Sequence, residues 1–118
     1  MSYLLLIHEP VGQRATRTRA EGEAAYAAMV AFAEDLQRQG QLRAVESLTG
    51  LDQATRVEQR DGAVRLLDGP FAEAKEMVGG FFLLQNVDRE QALAIAQRCP
   101  AAAWCTVEVR ALGPCFLG

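Results

Sequence analysis

A chain of 118 residues supports one domain with a real hydrophobic core and leaves no room for a second. Half of its residues are hydrophobic and 23 % are charged, the composition of a folded globular protein, which excludes disorder. The net charge of -3, with both signs interspersed, leaves no footprint for nucleic acid. No apolar stretch approaches the roughly 20 residues of a bilayer span, so no membrane partner is expected either.

Tyr3 to His8 is a brief apolar run and predicts a buried central strand. The run is too short for a signal-peptide core and has no basic leader, so the expected location is cytoplasmic. Glu9-Pro10-Val11-Gly12 breaks the strand, and the polar stretch to Arg19 predicts a loop whose Arg14, Arg17 and Arg19 read as a solvated basic patch. Thr18 and Glu21 have the spacing of a capping box. From there Tyr26, Met29, Val30, Ala33 and Leu36 recur at helical spacing until Gly40, which supplies a C-terminal stop.

Leu42 to Leu48 predicts a second strand. Ala54 to Arg60 alternates as a half-exposed strand does, Asp61-Gly62 is a two-residue hairpin turn, and Ala63 to Leu67 is the returning strand. Asp68-Gly69-Pro70 is a turn signal in which Asp bonds its own backbone, Gly adopts unusual φ and Pro has its φ fixed by the ring. Phe71, Ala74, Met77 and Val78 then fall on one side at helical spacing, which predicts a short helical or turn segment ending at Gly79. Gly80 to Gln85 reads as a strand covered on both faces. Asp88 and Gln91 repeat the capping-box spacing, and Ala92, Ile95, Ala96 and Cys99 form the inward stripe of a second helix that stops before Pro100.

The final strand, Trp104 to Arg110, alternates Cys105, Val107 and Val109 against Trp104, Thr106, Glu108 and Arg110. The second set is too polar for a dry single-chain core and is expected to face a cleft, solvent or a second subunit. The element order is the split βαβ of a ferredoxin-like α+β fold, with an antiparallel sheet and two helices on one face. The uncovered face then predicts a homodimer that buries sheet against sheet.

Candidate chemistry concentrates in two places. Asp68, Glu73, Lys75 and Glu76 hang from the turn, where loops commonly carry function: Asp68 is a candidate proton acceptor, and a carboxylate beside Lys75 is a candidate anion site. His8, the single histidine, is the second candidate base, and Arg110 a second group able to hold a negative charge. Cys99, Cys105 and Cys115 are odd in number and lack metal-ligand spacing, and phosphate loops and nucleophile elbows are absent from the sequence. Neither metal nor cofactor is expected.

The residues Tyr3-Leu4-Leu5-Leu6-Ile7, Arg60-Asp61-Gly62, Asp68 to Glu73, Lys75-Glu76, Gly79-Gly80 and Val107 to Arg110 together resemble the DGPF group within the YCII-related family. The resemblance covers nearly the whole chain and implies the dimeric α/β-barrel architecture. It also implies one of two roles: a small-molecule enzyme working through a His and Asp pair, or a non-catalytic ligand-binding or regulatory module associated with an extracytoplasmic-function sigma factor. The single histidine here lies at the end of the first strand rather than in the helix region where the family pair is expected. The residues therefore define two functional expectations. One is proton transfer or elimination on a small polar organic molecule, with Asp68 or His8 as base. The other is a binding module using the same cleft.

Overall fold

The computed structural model describes residues 2–118. In chain order the elements are β1 (Tyr3–Pro10), α1 (Arg19–Arg38), β2 (Leu42–Ser47), β3 (Thr55–Arg60), β4 (Ala63–Asp68), β5 (Glu76–Leu84), α2 (Arg89–Arg98) and β6 (Thr106–Ala111), with short 3-10 turns between several of them. β2, β5, β1 and β6 form an antiparallel sheet in that spatial order, while β3 and β4 pair only with each other. Two βαβ halves are thus interleaved, as a ferredoxin-like fold requires.

Local chemistry accounts for most element ends. Both capping boxes form: the Glu21 N–H donates to Thr18 Oγ1 at 3.1 Å while Glu21 Oε1 accepts from the Thr18 N–H at 2.8 Å. Asp88 and Gln91 repeat the exchange at 2.8 Å in both directions. Gly40, at φ 72°, takes the left-handed conformation that lets the chain leave α1. Asp61 and Gly62, at φ 52° and 78°, make the tight turn between β3 and β4.

Burial along β1 alternates. Tyr3, Leu5, Ile7 and Glu9 are buried and the residues between them are half-buried. The inward set joins Phe32 and Leu36 of α1, Phe82 and Leu84 of β5, and Ala92 and Ile95 of α2 in one core. Phe32 and Phe82 meet edge to face, centroids 5.5 Å apart. Cross-strand pairing puts Leu4, Leu6 and His8 on the other face, beside Leu83 and Phe81 of β5 and Arg110, Glu108 and Thr106 of β6.

Three expectations change. β5 begins at Glu76, so Met77 to Gly79 are extended and not helical: the end of β1 offers a ladder, and Glu76 and Met77 pair with Pro10 and Glu9. Trp104 stands outside β6, because a 3-10 turn over Pro100–Ala103 and a Cys105 N–H to Ala101 O bond hold it in a bend before the strand starts at Thr106. The β3–β4 hairpin lies outside the main sheet and projects as an arm. The chain is consequently flat, 47 × 43 × 18 Å, and its radius of gyration of 16.2 Å exceeds the about 13.5 Å expected of a compact domain this long.

Candidate functional site

The penultimate residue of β1 is Glu9, the one buried charged residue among those described, 6 % exposed. Pro10 and Gly12 turn the chain back on itself. Val11 is tied to the carbonyl of Lys75 at 2.9 Å, Gly12 takes φ 91°, and a 3-10 turn over Gln13–Thr16 brings Arg14 over the carboxylate. Arg14 donates twice, from Nη2 to Oε1 at 2.6 Å and from Nε to Oε2 at 3.0 Å, the two-point geometry that orients both planar groups. The hydrogen bond that Arg14 donates to Glu9 raises the pKa of Arg14 despite the opposing cost of burial. Room for the carboxylate comes from Gly79, where a Cβ would sit 1.7 Å from Glu9 Oε1. Only glycine allows that approach.

The pair forms part of the wall of a cavity of about 660 Å³ between the start of α1 and the sheet, also lined by Gln13, Arg17, Trp104 and Cys105. Gln13 Nε2 donates to the Trp104 carbonyl at 2.7 Å, and Cys105 Sγ donates to Gln13 Oε1 at 3.6 Å. The Arg17 guanidinium lies 5.5 Å from the centroid of the Trp104 ring. Arg19 is paired with Glu23, whereas Arg17 has no carboxylate partner among the described residues. Burial, reinforced by the charge of Glu9, pushes the Cys105 thiol up, so that it stays protonated and is a poor nucleophile at neutral pH. The cavity therefore offers a fixed buried carboxylate, one cation that neutralises it and a second that is available.

The residues singled out in the sequence lie elsewhere. His8 Nε2 is 2.6 Å from Glu108 Oε1, and Arg110 Nε is 3.6 Å from Glu108 Oε2, so His8 and Arg110 share a cluster on the helix-free face of the sheet. Asp68 closes the hairpin, where its Oδ1 accepts from Thr55 Oγ1 at 2.7 Å. Glu73 is exposed and pairs with Arg56 at 3.2 Å. Lys75 and Glu76 are exposed at the start of β5. Asp68, His8 and Lys75 do not form one constellation: Asp68 belongs to the arm and His8 to the main sheet.

Several contacts fix the Asp68 to Gly80 stretch in place. The Gly69 N–H donates to Ala54 O at 2.8 Å, and a Cβ on Gly69 would lie 1.9 Å from the Leu51 carbonyl oxygen. The Gly69-Pro70 peptide is cis. Phe71 is 5 % exposed beneath the Arg56 guanidinium, which stacks 3.7 Å from its ring centroid. The sequence reading takes Glu9 as part of the strand break and Arg14 and Arg17 as a solvated patch, whereas Arg14 is held on the buried Glu9 carboxylate and Arg17 lines the cavity. Their signal is the alternation of β1, which continues through Tyr3, Leu5 and Ile7 to place a carboxylate on the core side, with arginines just beyond.

A search by sequence among characterised proteins finds no significant match. Among solved structures the chain is similar to 5-chloro-2-hydroxyhydroquinone dehydrochlorinase (TftG) from Burkholderia phenoliruptrix AC1100, in complex with 2,5-dihydroxybenzoquinone. Identity is 16 %, coverage 96 % of this chain and 94 % of that one, and the TM-score 0.57. The likeness is one of fold, the ferredoxin-like arrangement of helices and sheet. The profile of the YCII-related domain matches residues 1–114, nearly the whole sequence. The chain belongs to the YCII-related domain family.

Proposed function

We propose that this protein is an enzyme that performs proton transfer or elimination on a small organic anion in the cavity beneath α1, with Glu9 as the base. The observation that carries this reading is the buried Glu9 carboxylate, held by Arg14 in the wall of a cavity of about 660 Å³. Arg17 attracts the anion. As the anion takes hydrogen bonds from Arg14, the Glu9 carboxylate is released from its partner and faces the substrate. Glu9 then removes a proton from a carbon of the substrate. In an elimination the leaving group on the adjacent carbon departs with its bonding electrons as the double bond forms, and in an isomerisation the proton returns at another atom. That a protein of like fold is a dehydrochlorinase agrees with the first outcome. The base is thus Glu9 in place of His8 or Asp68, neither of which lines the cavity.

The other face of the sheet supports a homodimer. Leu4, Leu6, Phe81 and Leu83 form an apolar centre there with His8, Glu108 and Arg110 at its edge, and the flat shape of the chain suits stacking of two such faces. Sedimentation equilibrium should give the mass of two chains, and Leu6→Asp the mass of one. The alternative, a regulatory module docking a sigma factor, draws on the hairpin, whose Val57, Val64 and Leu66 are 67, 65 and 69 % exposed. A concave site with a buried carboxylate weighs for catalysis.

The test is solvent deuterium incorporation, followed by proton NMR, across a panel of small keto acids and phenols, together with chloride release from 5-chloro-2-hydroxyhydroquinone. Turnover should appear with the wild type and fall at least about a hundredfold in Glu9→Gln. Equal turnover in the two proteins overturns the assignment of the base.

A further inference from the structure

A second cavity, of about 560 Å³, adjoins the first, and Tyr26, Met29, Ser47 and Gly79 belong to the walls of both. Its chemistry is different. Ile7, Met29, Val30, Ala33, Val45 and Phe82 contribute to its wall. Charged groups also line it, Glu34 and Arg38 from α1 and Glu46 from β2. Above this space α1 leaves Tyr26 62 % and Val30 39 % exposed, so apolar surface continues outward. The proposed dimer does not cover it, because α1 lies on the opposite face of the sheet from Leu4 and Leu6.

We propose that this second chamber is a tail pocket, so that the ligand of the site is an organic anion carrying a short alkyl or aryl tail. The inference rests on the reading of the polar chamber as an anion site and goes on to name the substrate class. Arg17 lies in the polar chamber without a carboxylate partner and sets the position of the charged end. From there an unbranched or aromatic tail passes Gly79 and Met29 into contact with Val45, Ala33 and Phe82. A small, fully polar anion fills only the first chamber and forgoes the contacts of the second.

The chain has one tryptophan, Trp104, and it lies beside Arg17 in the polar chamber, so binding can be followed by its emission and in parallel by calorimetry. The probes are benzoate, 4-ethylbenzoate, 4-butylbenzoate and the neutral 4-butylbenzamide. Affinity should rise about fourfold for each added methylene that leaves water. Ala33→Phe, which fills the chamber, should abolish that increment while leaving benzoate affinity within about twofold. Ala33→Leu, a smaller change, should reduce it if the phenylalanine variant fails to fold. Equal affinities for the three benzoates, with benzoate binding lost in Arg17→Gln, overturn the tail pocket and leave the anion site standing. Equal binding of 4-butylbenzoate and 4-butylbenzamide retains the pocket and removes the anion site. No binding of 4-butylbenzoate up to its solubility limit overturns the tail pocket.

Discussion

His8 and Glu9 are neighbours in β1, and each holds an ionisable partner at 2.6 Å, yet they point to opposite faces of one sheet and have different surroundings. Glu9 is buried, its partner comes from the turn immediately after the strand, and Gly79 is shaped around it. The His8 and Glu108 side chains are 26 and 41 % exposed, where water and salt compete with the pair. Equal contact distances therefore conceal unequal surroundings. Burial, a neighbouring cavity and a backbone without a side chain to obstruct it set Glu9 apart.

Four measurements break or sharpen the contrast. The largest effect is expected from Gly79→Ala, whose methyl overlaps Glu9 Oε1 and displaces the buried carboxylate from Arg14, at a cost of about 2 kcal/mol in urea unfolding. A wild-type midpoint would mean that the carboxylate moves freely, and the cavity wall would lose its fixed group. Next is Glu9→Gln, expected to lower stability by about 1–2 kcal/mol: the Arg14 side chain is 40 % exposed and recovers part of its hydration when the charge opposite it goes.

His8→Gln should change stability by less than about 1 kcal/mol and leave the activity that depends on Glu9 in place, as expected of a part-exposed pair outside the cavity. A loss of turnover comparable to that of Glu9→Gln would reverse the assignment of faces. The smallest effect is set by the α1 cap beside the cavity. Hydrogen bonds from the Thr18 backbone and then its side chain hold the Glu21 carboxyl below the usual value of 4.5. Because the folded value is depressed, the cap stabilises fully above the unfolded value and is lost as pH falls through the folded one. Glu21→Gln, which keeps the hydrogen bond and removes the titration, should flatten that acid limb in pH-dependent helicity, and an unchanged limb would show that the cap does not couple to the fold.

The segments that position the rest of the fold are legible where local rules are strong. Thr18 with Glu21 and Asp88 with Gln91 announce both helix starts, and Asp61-Gly62 announces the hairpin. The charged run at Asp68 to Glu76 draws attention for a sound reason, since turns with several ionisable groups often carry function. In the structure Gly69 packs against the Leu51 carbonyl, Phe71 is buried beneath Arg56, and Asp68 and Glu73 are tied to Thr55 and Arg56. Extending the alternation of β6 back to Trp104 misplaces that residue, because the chain there is already in the bend made by Pro100–Ala103.

By itself the amino-acid order determined the interleaved βαβ plan, the helix ends and the two-faced pattern of β1, because each depends on residues close together in the chain. Tertiary structure alone decided that Gly79 must lack a side chain for Glu9, that Arg14 and Arg17 line a cavity, and that the hairpin stands free of the sheet. Those facts depend on which distant segments meet, and a buried carboxylate has its properties set by the atoms packed around it. No spacing rule along the chain records them.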